Sequence, residues 1–411
     1  MDLEHLDQAA KIKGVDVIST GDFTHPVWFK EIKDKLEPVE SGLFKLKQEA
    51  RLPVREDGLP VSSSNIAATH FILTTEISCI YSKNGRVRKV HILIFAPDTV
   101  TVEKINIRLG QIGNLRADGR PILGLDAKDL AKIAWEASPD CLVVPSHAWT
   151  PWFAVFGSKS GFDSLDECFE EETKNIFAIE TGLSSNPAMN WRLSALDSVA
   201  IISCSDAHSL QKIAREACVF DTEMSYPAIV EAIKSKNPKK FLSTIEFFPE
   251  EGKYHYDGHR LCGVRLSPQE TRKYRGLCPV CGRPLTIGVL NRVEELADRP
   301  EGFVPKGAIP YKSLVPLPEI IGAVLGVGVA SKQVGRSYDN LIKKFGSEGN
   351  ILLDVPVEAL KDVSPEVASA IDGMRQGKIQ VEPGYDGVYG KVGILPIGGK
   401  KDFTVRQQPL F

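Results

Sequence analysis

The fold of this chain turns on Ile201-Ile202-Ser203-Cys204-Ser205-Asp206-Ala207-His208. Val199, Ala200, Ile201 and Ile202 make an apolar run too short for a helix and suited to a buried strand. Side chains at i and i+2 of a strand share a side, so Asp206 and His208 are expected to point the same way at its exit. A carboxylate beside an imidazole is a natural pair of metal ligands.

Other apolar runs end alike. Residues 15–20 lead into Gly21-Asp22-Phe23-Thr24-His25-Pro26, residues 141–147 end in Ser146-His147, and residues 176–182 carry Glu180. Residues 70–80 and 87–96 are joined through Ser82-Lys83-Asn84-Gly85, a hairpin signal. Each of these runs carries a polar group inside it, Glu76 in the first and His91 in the second. A carboxylate within a strand core is costly unless it is paired or metal-bound. Helical spacing is expected over residues 2–13, 28–36, 126–137, 163–173, 190–196 and 226–236, with Asp126 as an N-cap. Strands alternating with helices predict an α/β barrel or an open parallel sheet over residues 1–245, with ligand types at the strand C-terminal ends. Trp149, Trp152 and Phe153 follow His147 and are either core or the wall of a substrate slot.

At 411 residues the chain calls for two or three domains. A formal net charge of −3 rules out a global basic field, so any nucleic-acid surface must be local. No apolar run approaches the ~18 residues of a membrane span. The acidic start, Met1-Asp2-Leu3-Glu4, is unlike a signal peptide, and a cytoplasmic place is expected. Cys79, Cys141, Cys168, Cys204 and Cys218 are scattered and read as buried thiols. Cys262, Cys278 and Cys281 cluster, as for metal in a reducing compartment.

His259-x-x-Cys262 followed by Cys278-x-x-Cys281 has the spacing of a zinc ribbon within residues 246–305, with His255 as an alternative first ligand. Residues 253–292 hold eight Lys or Arg against Asp257 and Glu270. Such a module either grips phosphates, through Arg272, Lys273 and Arg275, or is a structural clip. Residues 306–397 are mainly helical. There, Gly326-Val327-Gly328 looks like the turn of a helix-hairpin-helix, whose backbone N–H groups bind DNA phosphate, and a β-hairpin surrounds Gly384-Tyr385-Asp386-Gly387. Residues 398–411 form a flexible tail ending Gln407-Gln408-Pro409-Leu410-Phe411. Gln-x-x-Leu-Phe resembles the peptide by which bacterial repair proteins bind the replication sliding clamp. Leu410 and Phe411 would fill an apolar pocket while Gln407 bonds its rim.

Thr20-Gly21-Asp22-x-x-His25, Glu76, His91, Ser146-His147 and Ser205-Asp206-Ala207-His208 together resemble the polymerase-and-histidinol-phosphatase (PHP) superfamily. Closer still, Gly21–Pro26, His147–Phe153, Phe156–Phe162 and Ser205–Leu210 resemble the endonuclease Q family of DNA-repair nucleases, and the resemblance covers nearly the whole chain. It implies a distorted (β/α)7 barrel that binds several metal ions and hydrolyses phosphate esters. It further implies nicking 5′ to deaminated bases (hypoxanthine, uracil, xanthine) and at abasic sites, in the cytoplasm. Glu76, His91 and His147 would be ligands, with Glu76 bridging. Asp206 and His208 would hold other ions, and Asp22 or His25 would complete the set. Asp206, Glu76 and His147 would be catalytic, with Zn2+ in the ribbon and Zn2+, Mg2+ or Mn2+ in the barrel. The superfamily's opening strand ends in His-x-His and has no counterpart here, so it is expected to lie upstream of Met1. Two rival functions are a small-molecule phosphatase on the same barrel and a non-catalytic, clamp-tethered DNA-binding adaptor.

Overall fold

Asp2 and Gly14 bracket the first element. The Asp2 side chain accepts the His5 N–H (2.8 Å) to start helix Leu3–Lys13, and Gly14 ends it in the left-handed region at φ +80°. A Cβ on Gly14 would lie 2.6 Å from Ser347 Oγ, so no other residue fits there. The computed structural model describes residues 1–39, 41–52, 69–117 and 120–394, and the backbone of 403–404.

Strands β1 (Val17–Ser19), β2 (Leu36–Pro38), β3 (Phe44–Leu46), β4 (His70–Lys83), β5 (Arg86–Ala96), β6 (Ile122–Leu123) and β7 (Leu142–Pro145) share one sheet. Its order is β2-β3-β4-β5-β7, with β1 and β6 each parallel to β4. The β4–β5 hairpin turns at Asn84 and Gly85, both at positive φ (54° and 70°), as a type I′ turn requires. β5 also runs antiparallel to β7, so the sheet is mixed rather than wholly parallel. The Asn-Gly turn is the cause, since a two-residue connection can only reverse the chain. β8 (Ala178–Glu180) and β9 (Ala200–Ile202) form a parallel pair, and β10 (Ala217–Phe220) runs antiparallel to β11 (Phe241–Glu246).

Most expected helices are present. Asp126 caps Ala127–Ala137, and Ser225 caps Tyr226–Ser235. The helix expected over 163–173 ends early, as Leu165–Phe169, because Glu170 adopts φ +52° and a 3-10 stretch follows. Helix Thr99–Gly110 was not legible in its Thr-Val-Thr-Val start, but Asp98 caps it through the Thr101 N–H (2.7 Å). Leu317–Leu325 and Lys332–Phe345 flank Gly326, which ends the first at φ +68°. Hairpin Ile379–Glu382 with Lys391–Ile394 forms as expected. Among the described residues, no helix is long and apolar enough to cross a membrane.

Contacts cross the bounds expected at 245/246 and 305/306. The strand Tyr311–Ser313 adds parallel to β11, and Val289 and Val293 of helix Val289–Leu296 enter the core that holds Leu3, Phe71 and Ile92. The C-terminal helices have their own core, including Leu317, Ile320, Leu341, Ile351 and Ile371. One buried ion pair ties that core to the first helix. Lys13 Nζ lies 2.5 Å from Glu348 Oε2, and Glu348 also accepts from the Tyr338 hydroxyl (2.7 Å) and the Leu317 N–H (3.0 Å). Removing one partner of a buried pair leaves an uncompensated charge and costs about 3–5 kcal/mol. Lys13→Met is therefore expected to lose about that much in urea denaturation, and a loss below about 1 kcal/mol would contradict the lock.

Glu246, at the end of β11, is buried, and burial pushes its carboxyl up to about 8. The unfolded chain releases that proton near pH 4.5, so the folded state binds the extra proton between there and about pH 8. Stability from this group is full below that window and falls as pH rises through it. Glu246→Gln is expected to raise the melting temperature at pH 8 and leave it unchanged at pH 4. An unchanged pH 8 melt would refute this.

Candidate metal centres

The β4–β5 register places Glu76 opposite Leu93, so His91, two residues back on β5, projects from the same face. His147 stands just past the end of β7 at φ +30°, its N–H held by Glu180 Oε2 at 2.7 Å. Thr150 Oγ1 meets the His147 Nδ1 at 3.1 Å and leaves Nε2 to face inward. Glu76 Oε1 then lies 3.2 Å from both His91 Nδ1 and His147 Nε2, and those two nitrogens are 3.0 Å apart. The carboxylate oxygen is buried, yet neither ring is aligned to hydrogen-bond it. A carboxylate oxygen without a hydrogen-bond donor, converging with two imidazole nitrogens, is what a shared cation needs, and this set fits a divalent ion.

The electrostatics follow from this packing. Burial pushes the Glu76 carboxyl up, but His147, His91 and Arg120 outweigh it and hold it well below the usual range. Burial takes His91 down to about 4 despite Glu76, giving the neutral ring that ligation requires. Burial also lowers His147, but the Glu76 carboxylate outweighs it and the net shift is upward.

Arg120 was not foreseen. Its Nε donates to Glu76 Oε2 (2.9 Å), Nη1 lies 2.9 Å from His91 Nδ1, and Nη2 is 3.9 Å from Asp206 Oδ1. It comes from an irregular segment between helix Thr99–Gly110 and β6, where no periodicity marks it.

Asp206 and His208 are not a strand pair. β9 stops at Ile202 because Ser203 leaves the ladder, its N–H turning to Cys218 Sγ (3.3 Å) and its hydroxyl to the Ile245 carbonyl (2.6 Å). Asp206 sits at φ +42°, with Arg215 holding the carbonyls of Ser205 and Asp206. His208 turns its Nδ1 to the Asp206 carbonyl (2.9 Å). Asp22, at φ +39°, is raised by burial and by the charge of Glu76, while His25 caps helix Pro26–Lys35 through the Trp28 N–H (3.4 Å). Asp22, His147 and Asp206 thus all adopt left-handed backbone that non-glycine residues seldom take, a strain that gathers at functional sites.

The aromatic wall also needs correction. Trp149 is fully buried, with its indole N–H on Asn190 Oδ1 (2.7 Å), so it is core rather than wall. Phe153 packs on the His91 ring with centroids 4.7 Å apart, and Trp152, 40% exposed, meets the Tyr254 ring edge-on at 5.5 Å.

The second centre is assembled by β12 (Asp257–His259) and β13 (Val264–Leu266), an antiparallel hairpin around the first knuckle. Gly263 and Gly282 close the two knuckles at φ +63° and +70°. His259, Cys262, Cys278 and Cys281 bring their ligand atoms within 4.8 Å of one another. His255 is not among them; it is buried and stacks on Tyr256. Burial pushes the Cys278 thiol up, but the N–H groups of Cys281 and Val280 outweigh it and bring it to about 7.

This architecture matches the crystal structure of the lesion-specific endonuclease PfuEndoQ from Pyrococcus furiosus. The TM-score is 0.82 at 31% identity, covering 96% of this chain and 91% of that one. The chain belongs to the endonuclease Q family. An endonuclease Q bound to a duplex with an abasic lesion at its active site matches with a TM-score of 0.80 at 31% identity, covering 95% of this chain and 91% of that one. YqxK of Bacillus subtilis, an uncharacterized protein, is 27% identical over 94% of this chain and 91% of its own. The uncharacterized MJ0043 of Methanocaldococcus jannaschii is 33% identical over 61% of this chain, which spans about a third (32%) of that protein's length. The MJ0043 C-terminal domain family matches residues 316–378, the segment with the Gly326 turn.

In this chain, Arg272, Lys273 and Arg275 are exposed on the module of the second centre, and Arg272 also meets Glu294 at 3.4 Å. Nothing lies within 4 Å of a Cβ built on Gly326 or Gly328, while the Gly326 N–H is taken by the Ala323 carbonyl (3.2 Å). Gln407, Leu410 and Phe411 lie outside the described residues.

Proposed function

We propose that this chain is a cytoplasmic DNA-repair endonuclease. Its reaction is hydrolysis of the phosphodiester 5′ to deaminated bases (hypoxanthine, uracil, xanthine) and at abasic sites. The observation that carries this is the match to the lesion-specific endonuclease over nearly the full chain, with Glu76, His91 and His147 converging in its interior. The barrel would be of the PHP (β/α)7 type and its catalysis multi-metal.

Divalent ions in such a cage lower the pKa of bound water and clamp phosphate oxygens. The chain's own residues then have separable tasks. Glu76, His91 and His147 supply one ligand group, and Asp206, His208 and Asp22 or His25 border it. Glu180 fixes the backbone that aims His147, and Phe153 fixes the plane of His91. The lesion nucleotide must leave the stack to reach these groups, and Trp152 with Tyr254 offers ring surface for it. Arg272, Lys273, Arg275, Gly326 and Gly328 would hold phosphates without reading sequence.

The test is nicking of end-labelled duplexes carrying one inosine, uracil or abasic site, with an undamaged control. Cleavage 5′ to the lesion is expected, and none on any lesion duplex at any divalent metal would reject the proposal. The tail Gln407-x-x-Leu410-Phe411 is proposed to bind a bacterial sliding clamp. Deleting residues 407–411 is expected to abolish clamp binding in calorimetry, and unchanged affinity would exclude the motif.

A further inference from the structure

The two most exposed apolar side chains of the zinc module stand on its knuckles. Leu261 is 78% exposed and Val280 is 69% exposed. The module's small core is closed without them, by Val264, Leu266, Cys278 and Leu285. Leu261 precedes the ligand Cys262, and Val280 lies between Cys278 and Cys281, whose ligand atoms lie within 4.8 Å. Each knuckle therefore holds one apolar side chain outward on a backbone that the metal ligands fix.

The surroundings say what these side chains meet. Exposed Arg260 adjoins Leu261, and exposed Arg283 follows the second knuckle. Residues 253–292 hold two acids: Asp257 is buried, and the exposed Glu270 is engaged in a capping box with Ser267. Asp386 Oδ2 accepts the Arg260 N–H (2.7 Å), and the exposed charged side chains beside the tip are Arg260 and Arg283. An apolar tip flanked by arginines suits a polyanion with an apolar interior, which is the composition of duplex DNA. Apolar wedges between base steps, with basic groups on the flanking phosphates, unstack the step.

We propose that Leu261 and Val280 are a wedge that enters a base step of duplex DNA, with Arg260 and Arg283 gripping the adjoining phosphates. The inference rests on the endonuclease reading and adds a task to it, opening the stack so that a nucleotide can turn toward the Glu76 cage. The module is joined to that cage by the Trp152–Tyr254 contact, next to Phe153 on His91.

The experiment uses the full zinc-loaded chain and a duplex with one abasic site flanked by 2-aminopurine. Wild type is expected to raise the 2-aminopurine fluorescence on binding. The double variant Leu261→Ser/Val280→Ser is expected to lose that rise while keeping its zinc content, with affinity by anisotropy within about tenfold. Arg260→Ala/Arg283→Ala is expected to weaken binding on any sequence and to flatten the salt slope by about 1 per arginine. A serine variant that binds and raises fluorescence as wild type does would overturn the wedge. If wild type itself neither bound nor nicked the duplex, the endonuclease reading would fail instead, so the two failures are distinct.

Discussion

Glu76→Gln is expected to cut nicking by on the order of a thousandfold, the scale on which loss of one preorganised electrostatic partner acts. The shape is kept and only the charge goes. Glu76 Oε1 faces His91 and His147 at 3.2 Å each, and Oε2 takes Arg120 at 2.9 Å, so one carboxylate organises two imidazoles and a guanidinium. Without it His91 and His147 have no carboxylate between them, and divalent ions bind poorly there. The His147 ring also loses what raises it and is expected to titrate lower. Circular dichroism should be unchanged, and metal bound at the cage should fall in step with nicking. Asp206→Ala, at a half-exposed position, should likewise abolish cleavage and leave the fold. Full turnover by Glu76→Gln with native metal content would remove Glu76 from the site.

The zinc module offers the second large effect. Its apolar core is so small that it cannot offset the entropy of ordering the module. Structural zinc sites contribute roughly 10–16 kcal/mol in isolated fingers at neutral pH. Cys278→Ser, or strong chelation, is therefore expected to unfold the segment around β12 and β13 while the main sheet stays intact. Helix Val289–Leu296 should survive, because Val289 and Val293 are anchored in the first core. Hydrogen exchange would show protection lost from 257–285 and kept in β4 and β5. Exchange unchanged after chelation would mean that the four ligands hold no structural metal.

Much of this was legible in the chain. Asp2, Asp126 and Gly14 act locally as caps, and Asn84-Gly85 dictates its hairpin, because a turn or cap depends on neighbours a few residues away. The cysteine spacing likewise selects its knuckles without reference to the main sheet. Other features were hidden. Glu170 at positive φ shortened a helix whose pattern ran on, and Tyr311–Ser313 joined β11 from far along the chain. Trp149 looked like a wall by its place beside His147, yet Asn190, distant in sequence, takes its N–H into the core.

The sequence by itself determined which residues could bind metal and which strands carry them, since residue type and short periodicity are local properties. Only the tertiary structure decided that Glu76, His91 and His147 meet, that Arg120 joins them, and that Asp206 stands on a bend rather than a strand. Those outcomes depend on register between β4, β5 and β7 and on where Ser203 finds its partners. Such contacts form between distant segments, and no window of sequence contains both sides of them.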